Sequence, residues 1–305
     1  QLKHGANCSE LYEHEYGYRS GINNTMREHL RAYQQEILTK VDLKPGDVIV
    51  DIGSNDSTML QYYDPTLKRI GVDPTGKQFQ QFYGDVELIP TYFTRENVVG
   101  VYGENLRCKV VSSISMFYDL PDPVQFAKDI HSVLADDGIW TCEQSYLLTM
   151  LETNSIDTIC HEHLEYYSLT AVKRIADMSG FKIIDIKFNQ CNGGSFRLYF
   201  SKQSSDRVET ELVSQILEKE SVLGVKEQQG RQGLLVRRAG HLPLVGQHGQ
   251  EGLDLGRAQV FRVPHAALAR RPDEEVVLAQ RVERGLRLRR HGGRARNRTQ
   301  AARAR

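Results

Sequence analysis

One short run of acid–base side chains could perform chemistry. Residues 157–167 read Asp-Thr-Ile-Cys-His-Glu-His-Leu-Glu-Tyr-Tyr, which combines imidazoles, carboxylates, a thiol and phenols. Histidine changes charge near neutral pH, and a neighbouring carboxylate can fix its tautomer or hold a substrate hydroxyl. A single histidine is more often a buried structural residue, but this cluster beside Tyr166 and Tyr167 favours function. The run predicts general acid–base catalysis, such as removal of a proton from a substrate.

A metal site is the competing interpretation of this run. His161, Glu162 and His163 are consecutive, which makes joint ligation of one metal ion awkward, and the H-E-x-x-H spacing is absent. The five cysteines, at positions 8, 108, 142, 160 and 191, form no C-x-x-C pair, so neither a zinc knuckle nor a disulfide framework is indicated. We therefore predict no metal in these residues and a reducing, cytoplasmic environment.

A second polar group follows an apolar, β-branched run at 48–52. Gly53 lies directly after this run, within Asp51 to Ser57, and would allow a ligand to approach the backbone. The G-x-G-x-x-G pattern of a dinucleotide fold is absent. Asp73 ends the next apolar run and is placed like an acid that accepts ribose hydroxyls. The alternative is a turn glycine with a helix-capping aspartate.

Hydrophobic periodicity predicts the elements that position both groups. Helical spacing indicates helices at 24–40, capped by Asn24 or Thr25, at 124–134, ended by Asp136 to Gly138, and at 169–178. Strands are expected at 48–52, 69–73, 86–90, 110–117 and 139–143, followed by an antiparallel pair at 182–188 and 196–200. This alternation predicts an α/β fold with an open, mostly parallel sheet, helices on both faces and a terminal antiparallel hairpin.

Seven motifs occur in an order that resembles the C-methyltransferases of deoxysugar biosynthesis. They lie at 16–26, 51–56, 71–75, 116–123, 143–146, 157–167 and 192–197, and the resemblance covers about residues 1–220. It implies a class I methyltransferase (Rossmann-like) fold, S-adenosylmethionine as cofactor and a nucleotide-linked 4-keto-deoxysugar or related ketone as substrate. It also implies that a base removes the proton beside the ketone and that the enolate attacks the methyl group.

The resemblance assigns roles to individual residues. It places the base on His163 and its glutamate neighbour on Glu162, whereas Cys160 stands where the family has a tyrosine. A thiol is a poor substitute for a phenol that hydrogen-bonds an enolate oxygen. The other candidates for that role are Tyr16, Tyr18 and Tyr118.

Two binding sets complete the prediction. The cofactor set comprises Asp51, Gly53, Ser54, Asn55, Asp73, Pro74, Ser115 and Met116. The substrate set comprises His161, Tyr166, Asn192, Ser195 and Arg197. For the Gly193-Gly194 pair, a plain hairpin turn is an equally good interpretation.

Composition divides the chain unevenly. Residues 227–305 contain 17 arginines and no lysine or tyrosine, so we expect a disordered or out-of-frame tail. The expected segments are a linker or substrate lid at 1–35, the cofactor-binding domain at 36–202 and the helical start of a further domain at 203–226. The family resemblance implies that a zinc module is missing upstream.

Charge and hydropathy limit the partners. Lysine plus arginine and aspartate plus glutamate number 39 each, which favours no nucleic-acid partner, and no long apolar run predicts a membrane span. We expect a small-molecule substrate and make no prediction of oligomeric state. The alternatives are a small-molecule O-methyltransferase and a non-catalytic protein that binds S-adenosylmethionine or serves as a scaffold.

Overall fold

The computed structural model of the 305-residue chain describes residues 11–12, 16–155, 158–160 and 162–224. The predicted tail at 227–305 and the predicted substrate residue His161 lie outside the described residues. Among the helices of the described part, none is both long and apolar enough to cross a membrane.

A seven-stranded sheet forms the centre of the fold. The strands are β1 (Val48–Ile52), β2 (Lys68–Val72), β3 (Glu87–Ile89), β4 (Cys108–Ile114), β5 (Leu134–Ser145), β6 (Phe181–Asn189) and β7 (Ser195–Lys202). Their order is β3-β2-β1-β4-β5-β7-β6. Strand β7 runs antiparallel to both neighbours, and the pairs from β3 to β5 are parallel. This arrangement confirms the predicted class I methyltransferase fold.

Helices cover the sheet. They are α1 (Asn24–Leu38), α2 (Arg95–Tyr102), α3 (Pro123–Val133), α4 (Leu147–Thr153), α5 (Leu169–Met178) and α6 (Glu211–Val222). We predicted Asn24 or Thr25 as the N-cap of α1, but the N-cap is Asn23. Its side chain accepts hydrogen bonds from the Thr25 and Met26 amides, so the helix begins at Asn24. Helices α2 and α4 had no prediction, and both are short.

Alternate residues of β1 point into two separate hydrophobic clusters. Val50 and Ile52 belong to one cluster, with residues of α3 and α5. Ile49 belongs to the other, where Tyr33 and Ile37 of α1 pack. A strand directs successive side chains to opposite faces, so both faces are buried, as its β-branched sequence predicts. Helix α1 spans residues 35 and 36, where we predicted that the linker or substrate lid ends and the cofactor-binding domain begins.

Strand β5 departs from its prediction at its start. We expected Asp136 to Gly138 to separate α3 from the strand, but β5 begins at Leu134, directly after the helix. The register against β4 jumps between Leu134 and Ile139, so the three residues form an irregular start within the strand. The exposed Asp136 carboxylate pairs there with Lys202 of β7, 3.0 Å away.

Candidate active site

The loops that follow β1, β2 and β4 meet at one edge of the sheet. Strand order reverses between β1 and β4, which is where open α/β sheets bind ligands. Three non-glycine residues in these loops adopt a positive φ, namely Asn55 at 52°, Ser57 at 61° and Ser115 at 52°. Such conformations cost energy and concentrate at functional sites.

Gly53 leaves an open approach to the backbone at the end of β1. It is exposed and has a φ of 72°. A Cβ built at this position would lie 3.2 Å from Cγ of Met116, which follows β4. A side chain at residue 53 would therefore be strained and would crowd Met116.

Asp73 follows β2, and its carboxylate organises the neighbouring turn. Its Oδ2 accepts from the Asn55 amide at 2.7 Å, and its Oδ1 accepts from the Thr75 amide and hydroxyl at 2.6 and 2.7 Å. Each carboxylate oxygen can accept two hydrogen bonds. Oδ2 therefore keeps acceptor capacity for a further donor, and Pro74 begins the 3₁₀ helix behind it.

Two other residues of the cofactor set face the protein interior. The buried Asp51 carboxylate accepts from the Ser112 hydroxyl at 2.6 Å, and burial raises its pKa to about 7. The Ser54 hydroxyl lies 2.9 Å from that of Tyr83 and packs over Gly71. Both side chains therefore support the loop from its buried side.

The segment before α1 crosses over this loop. The Ser20 amide donates to Asn55 Oδ1 and the Gly21 amide to Asp56 Oδ2, both at 2.9 Å, while Asn55 donates to the Tyr18 carbonyl at 3.0 Å. Gly21 allows this close approach, because a Cβ there would lie 2.6 Å from that Asp56 oxygen and would force the carboxylate to move. These bonds fix the backbone beside the predicted Tyr16 and Tyr18, of which Tyr18 is exposed.

Tyr16 connects the two predicted sites electrostatically. Burial, followed by the charges of Glu162, Asp119 and Asp73, raises its pKa to about 12. The charges of both Asp73, after β2, and Glu162, in the acid–base run, therefore act on the Tyr16 hydroxyl.

His163 is held in a defined orientation. Its Nδ1 lies 2.7 Å from the carbonyl oxygen of Thr158, which can only accept a hydrogen bond, so Nδ1 carries the proton and Nε2 keeps its lone pair. The imidazole packs on the Tyr118 ring with centroids 4.1 Å apart. Partial burial lowers the pKa of His163 below its usual value, which favours the neutral ring that can accept a proton at Nε2.

Cys160, Glu162 and His163 converge around this ring. One sulfur, oxygen or nitrogen atom from each lies within 4.8 Å of the other two. The Tyr166 hydroxyl lies near the cluster and is buried. Burial, and next the charge of Cys160, raises the pKa of Tyr166 to about 12.

Only part of the predicted substrate set reaches this edge. The Asn192 amide donates to the Ser115 hydroxyl at 3.2 Å, which places it above the β4 loop. In contrast, Ser195 donates to the Cys191 carbonyl at 2.8 Å and is buried. Arg197 is 5% exposed, and Nε and Nη1 donate to Glu143 and Glu36 at 2.6 and 2.9 Å.

Arg197 therefore belongs to a buried ionic network that sequence reasoning missed. Glu143 is 1% exposed and accepts from Arg197 and Asn189, and its Oε1 lies 2.5 Å from Nε2 of His29. The guanidinium also packs over the Tyr33 ring, 3.4 Å from its centroid. Glu143 lies in the quoted 143–146 motif, but no local pattern indicates that α1 supplies His29 and Glu36.

Asp119 was also missed, although it lies in the quoted motif at 116–123. Its Oδ2 accepts from the Tyr12 hydroxyl at 3.0 Å. Burial, opposed by that hydrogen bond and reinforced by Glu162, raises its pKa to about 8. In the sequence, the feature that could have identified Asp119 as a candidate site residue is its position directly after Tyr118.

Comparison with known proteins decides the family. Residues 23–186, more than half of the chain, match a family model described as a methyltransferase domain. The chain belongs to the methyltransferase domain family. A curated relative, C-methyltransferase NovU of Streptomyces niveus, is 27% identical over 227 residues. The match covers 73% of this chain and 54% of the relative, so the chain spans about half the length of that protein.

Solved structures provide more distant likenesses. A methyltransferase from Clostridium acetobutylicum ATCC 824 has a TM-score of 0.45 at 9% identity, covering 58% of this chain and 92% of that chain. Magnesium protoporphyrin IX methyltransferase from Synechocystis PCC 6803, with bound SAM, has a TM-score of 0.43 at 10% identity, covering 58% and 79%. The fold assignment depends on the strand order instead.

The methyl donor of this methyltransferase domain is S-adenosylmethionine, and the loop geometry fits it. The fit depends on the open backbone at Gly53, which a Cβ would obstruct, and on the remaining acceptor capacity of Asp73. The first suits close approach of a ligand, and the second suits a ribose hydroxyl.

Proposed function

We propose that this methyltransferase transfers the methyl group to a carbon next to a ketone, with a nucleotide-linked deoxysugar or a related ketone as acceptor. The observation that carries the proposal is the orientation of His163. Nδ1 is committed to the Thr158 carbonyl at 2.7 Å, which leaves the Nε2 lone pair for the substrate. The name of the relative, a C-methyltransferase, supports carbon as the acceptor atom.

His163 performs the proton transfer in this proposal. Nε2 takes the proton from the carbon, and the C–H electron pair moves towards the ketone oxygen to form an enolate. S-adenosylmethionine, when bound, supplies an electrophilic methyl group to that carbon. Positioned bases of this kind typically accelerate reactions by about 10²–10⁴-fold.

A phenol near His163 stabilises the enolate oxygen in the absence of a tyrosine at position 160. Tyr118 contacts the imidazole directly, and its pKa is raised, first by burial and then by the charge of Asp119. It therefore stays protonated at neutral pH and can donate to an oxyanion. Tyr16 and Tyr18 are the other phenols that could serve, and Glu162 could hold a substrate hydroxyl.

The proposed donor site uses the loops around Gly53. Asp73 binds the ribose hydroxyls, and the backbone at Gly53 and Asn55 lies against the ligand. Ser115, Met116 and Pro74 border the same space, while Asp51 and Ser54 support the loop from below. For the acceptor we propose Tyr166 and Asn192 as lining residues, with Ser195 and Arg197 supporting the hairpin that carries Asn192.

Isotope labelling tests the proposal directly. The protein is incubated with S-adenosylmethionine carrying a ¹³C-labelled methyl group and with a 4-keto nucleotide deoxysugar, and the product is examined by NMR. We expect a methyl signal of carbon-bound type. A methoxy signal would instead establish O-methylation and contradict the proposed carbon transfer.

Proton exchange isolates the role of His163. In D₂O with S-adenosylhomocysteine bound, we expect the hydrogen next to the ketone to exchange, and His163→Gln to slow this exchange by about 10²–10⁴-fold. His131→Gln is the matched control, because His131 lies on α3 and packs against Phe181. Equal exchange rates in the His163 variant and the native chain would remove His163 as the base.

A further inference from the structure

The convergence of Cys160, Glu162 and His163 offers a second kind of chemistry. A soft sulfur, an imidazole nitrogen and a carboxylate oxygen lie within 4.8 Å of one another. These three donor types bind zinc, which takes four ligands in a tetrahedron, and three protein ligands leave one position for water. The earlier prediction of no metal weighed only the consecutive residues 161–163, whereas the structure brings together residues 160, 162 and 163.

The hydrogen bond at Nδ1 of His163 leaves its Nε2 available to a metal ion. Histidines that bind metals usually donate their other ring N–H to a carbonyl or carboxylate, which fixes the tautomer and the direction of the lone pair. Nδ1 of His163 meets this condition with the Thr158 carbonyl at 2.7 Å. The ring of Tyr118, 4.1 Å away between centroids, packs against the imidazole and limits its rotation.

A second group with similar donors is unsuited to a cation. His29, Glu143 and Cys191 also lie within 4.8 Å of one another. Glu143, however, is bound by Arg197 at 2.6 Å and by Asn189 at 2.9 Å. A cation there would have to displace these donors beside a buried guanidinium, and like charges repel strongly at such distances. No salt bridge of the described residues places a lysine or arginine against Glu162 in the first group.

We propose that Cys160, Glu162 and His163 form a binding site for a thiophilic divalent cation of the zinc class. Binding forms bonds from the metal to Sγ, to a carboxylate oxygen and to Nε2. The Cys160 thiol proton passes to solvent, and the fourth position holds water. No electron changes hands, so the reaction needs no oxidant or reductant.

Metal binding and proton abstraction exclude each other, because both use the Nε2 lone pair of His163. This consequence depends on the proposed function, whereas the site itself depends only on the geometry. Zinc should therefore inhibit methyl transfer reversibly, and a chelator should restore it. The presence of Cys160 rather than a phenol decides the affinity, because a thiolate is the preferred zinc ligand.

Cobalt(II) is the probe that tests the site without turnover. Co²⁺ is titrated into the full chain with S-adenosylhomocysteine present, and the near-ultraviolet spectrum is followed for a thiolate-to-cobalt charge-transfer band. We expect the band in the native chain, its loss in Cys160→Ser and its retention in Cys191→Ser. Zinc should displace the cobalt, and Glu162→Gln and His163→Gln should each weaken cobalt binding at least about 10-fold.

The outcomes separate the two proposals. A missing band, or a band that persists in Cys160→Ser, overturns the metal site whatever the enzyme's activity. Loss of the band in Cys191→Ser alone would move it to the His29 group and also overturns it. S-adenosylhomocysteine affinity within about twofold of native in each variant establishes that the domain is folded. If the band behaves as expected but no methyl transfer occurs, the site stands and the proposed function fails.

Discussion

The tautomer of His163 is set by one hydrogen bond to a backbone carbonyl. The Thr158 oxygen cannot donate, so the imidazole presents an unprotonated Nε2 as long as the ring is neutral. Partial burial lowers the pKa of His163, while the Thr158 carbonyl and the charge of Glu162 act in the opposite direction. Burial outweighs both, and the balance of these three effects is measurable.

The pH profile of proton exchange tests this balance. A base works when unprotonated, so exchange should rise with pH through the lowered pKa of His163 and level off above it. Glu162→Gln removes a charge that raises this pKa, and the rising limb should therefore move to lower pH. Glu165→Gln is the control, because Glu165 does not contribute to the shift of His163. A limb that moves upward in Glu162→Gln would contradict the assignment.

Gly53 allows a test of the donor site by a single side chain. Gly53→Val places a β-branched residue at a φ of 72°, where it is strained and crowds Met116. Calorimetry should record S-adenosylhomocysteine binding weakened at least about tenfold, equivalent to about 1.4 kcal/mol. Gly100→Val on α2 is the control, because a Cβ at residue 100 meets no atom within 4 Å. Equal affinity in native and Gly53→Val would remove this loop from the binding site.

At the scale of elements, two buried carboxylates join helices to the rest of the domain. Glu143 of β5 joins α1 to β7 through His29 and Arg197. Glu220 of α6 is 0% exposed and accepts from the amides of Leu169 and Thr170 at 2.7 and 2.8 Å. It thereby binds the first turn of α5, where helix amides lack partners. The Tyr146 hydroxyl donates to the same carboxylate at 2.8 Å.

Glu220→Gln should destabilise the domain. An amide keeps the shape but places an NH₂ group among donors, so at least one buried donor loses its acceptor. The cost should be about 2–4 kcal/mol, measured by urea unfolding. Glu218→Gln, on the exposed face of α6, should change stability by less than about 0.5 kcal/mol. Equal stability of the two variants would show that Glu220 does not hold α5.

Arg197→Met tests the second carboxylate in the same way. It leaves Glu143, 1% exposed, without its guanidinium partner, and breaking a buried pair on one side typically costs about 3–5 kcal/mol. The exposed Arg174→Met serves as the control. If Arg197 instead bound substrate, this variant would lose affinity for the acceptor with little change in unfolding free energy.

At the scale of the whole molecule, the sequence predicted the order and type of the sheet's strands. The β-branched runs at 48–52 and 69–73 specify strands because only a fully buried strand suits such continuous apolar residues. The irregular start of β5 was missed because an Asp-Asp-Gly run usually marks a turn. Arg197 was assigned to substrate because no local pattern reveals that α1, more than 160 residues away, supplies its partner Glu36.

A shortened chain provides a test of the whole domain. The seven strands lie between residues 48 and 202, and α6 ends at Val222. A chain that ends at Gly224 should therefore keep S-adenosylhomocysteine affinity within about twofold, as measured by calorimetry, and should unfold in one cooperative transition. Loss of that transition would show that residues after 224 are needed for folding.

The contact between Glu220 and the start of α5 has a consequence for synthesis on the ribosome. Leu169 and Glu220 are 51 positions apart, so the amides at the start of α5 are synthesised well before their acceptor is added to the chain. The segment that carries His163 ends at this same turn. All seven strands, the last of which ends at Lys202, are therefore synthesised before the first turn of α5 can gain its buried acceptor.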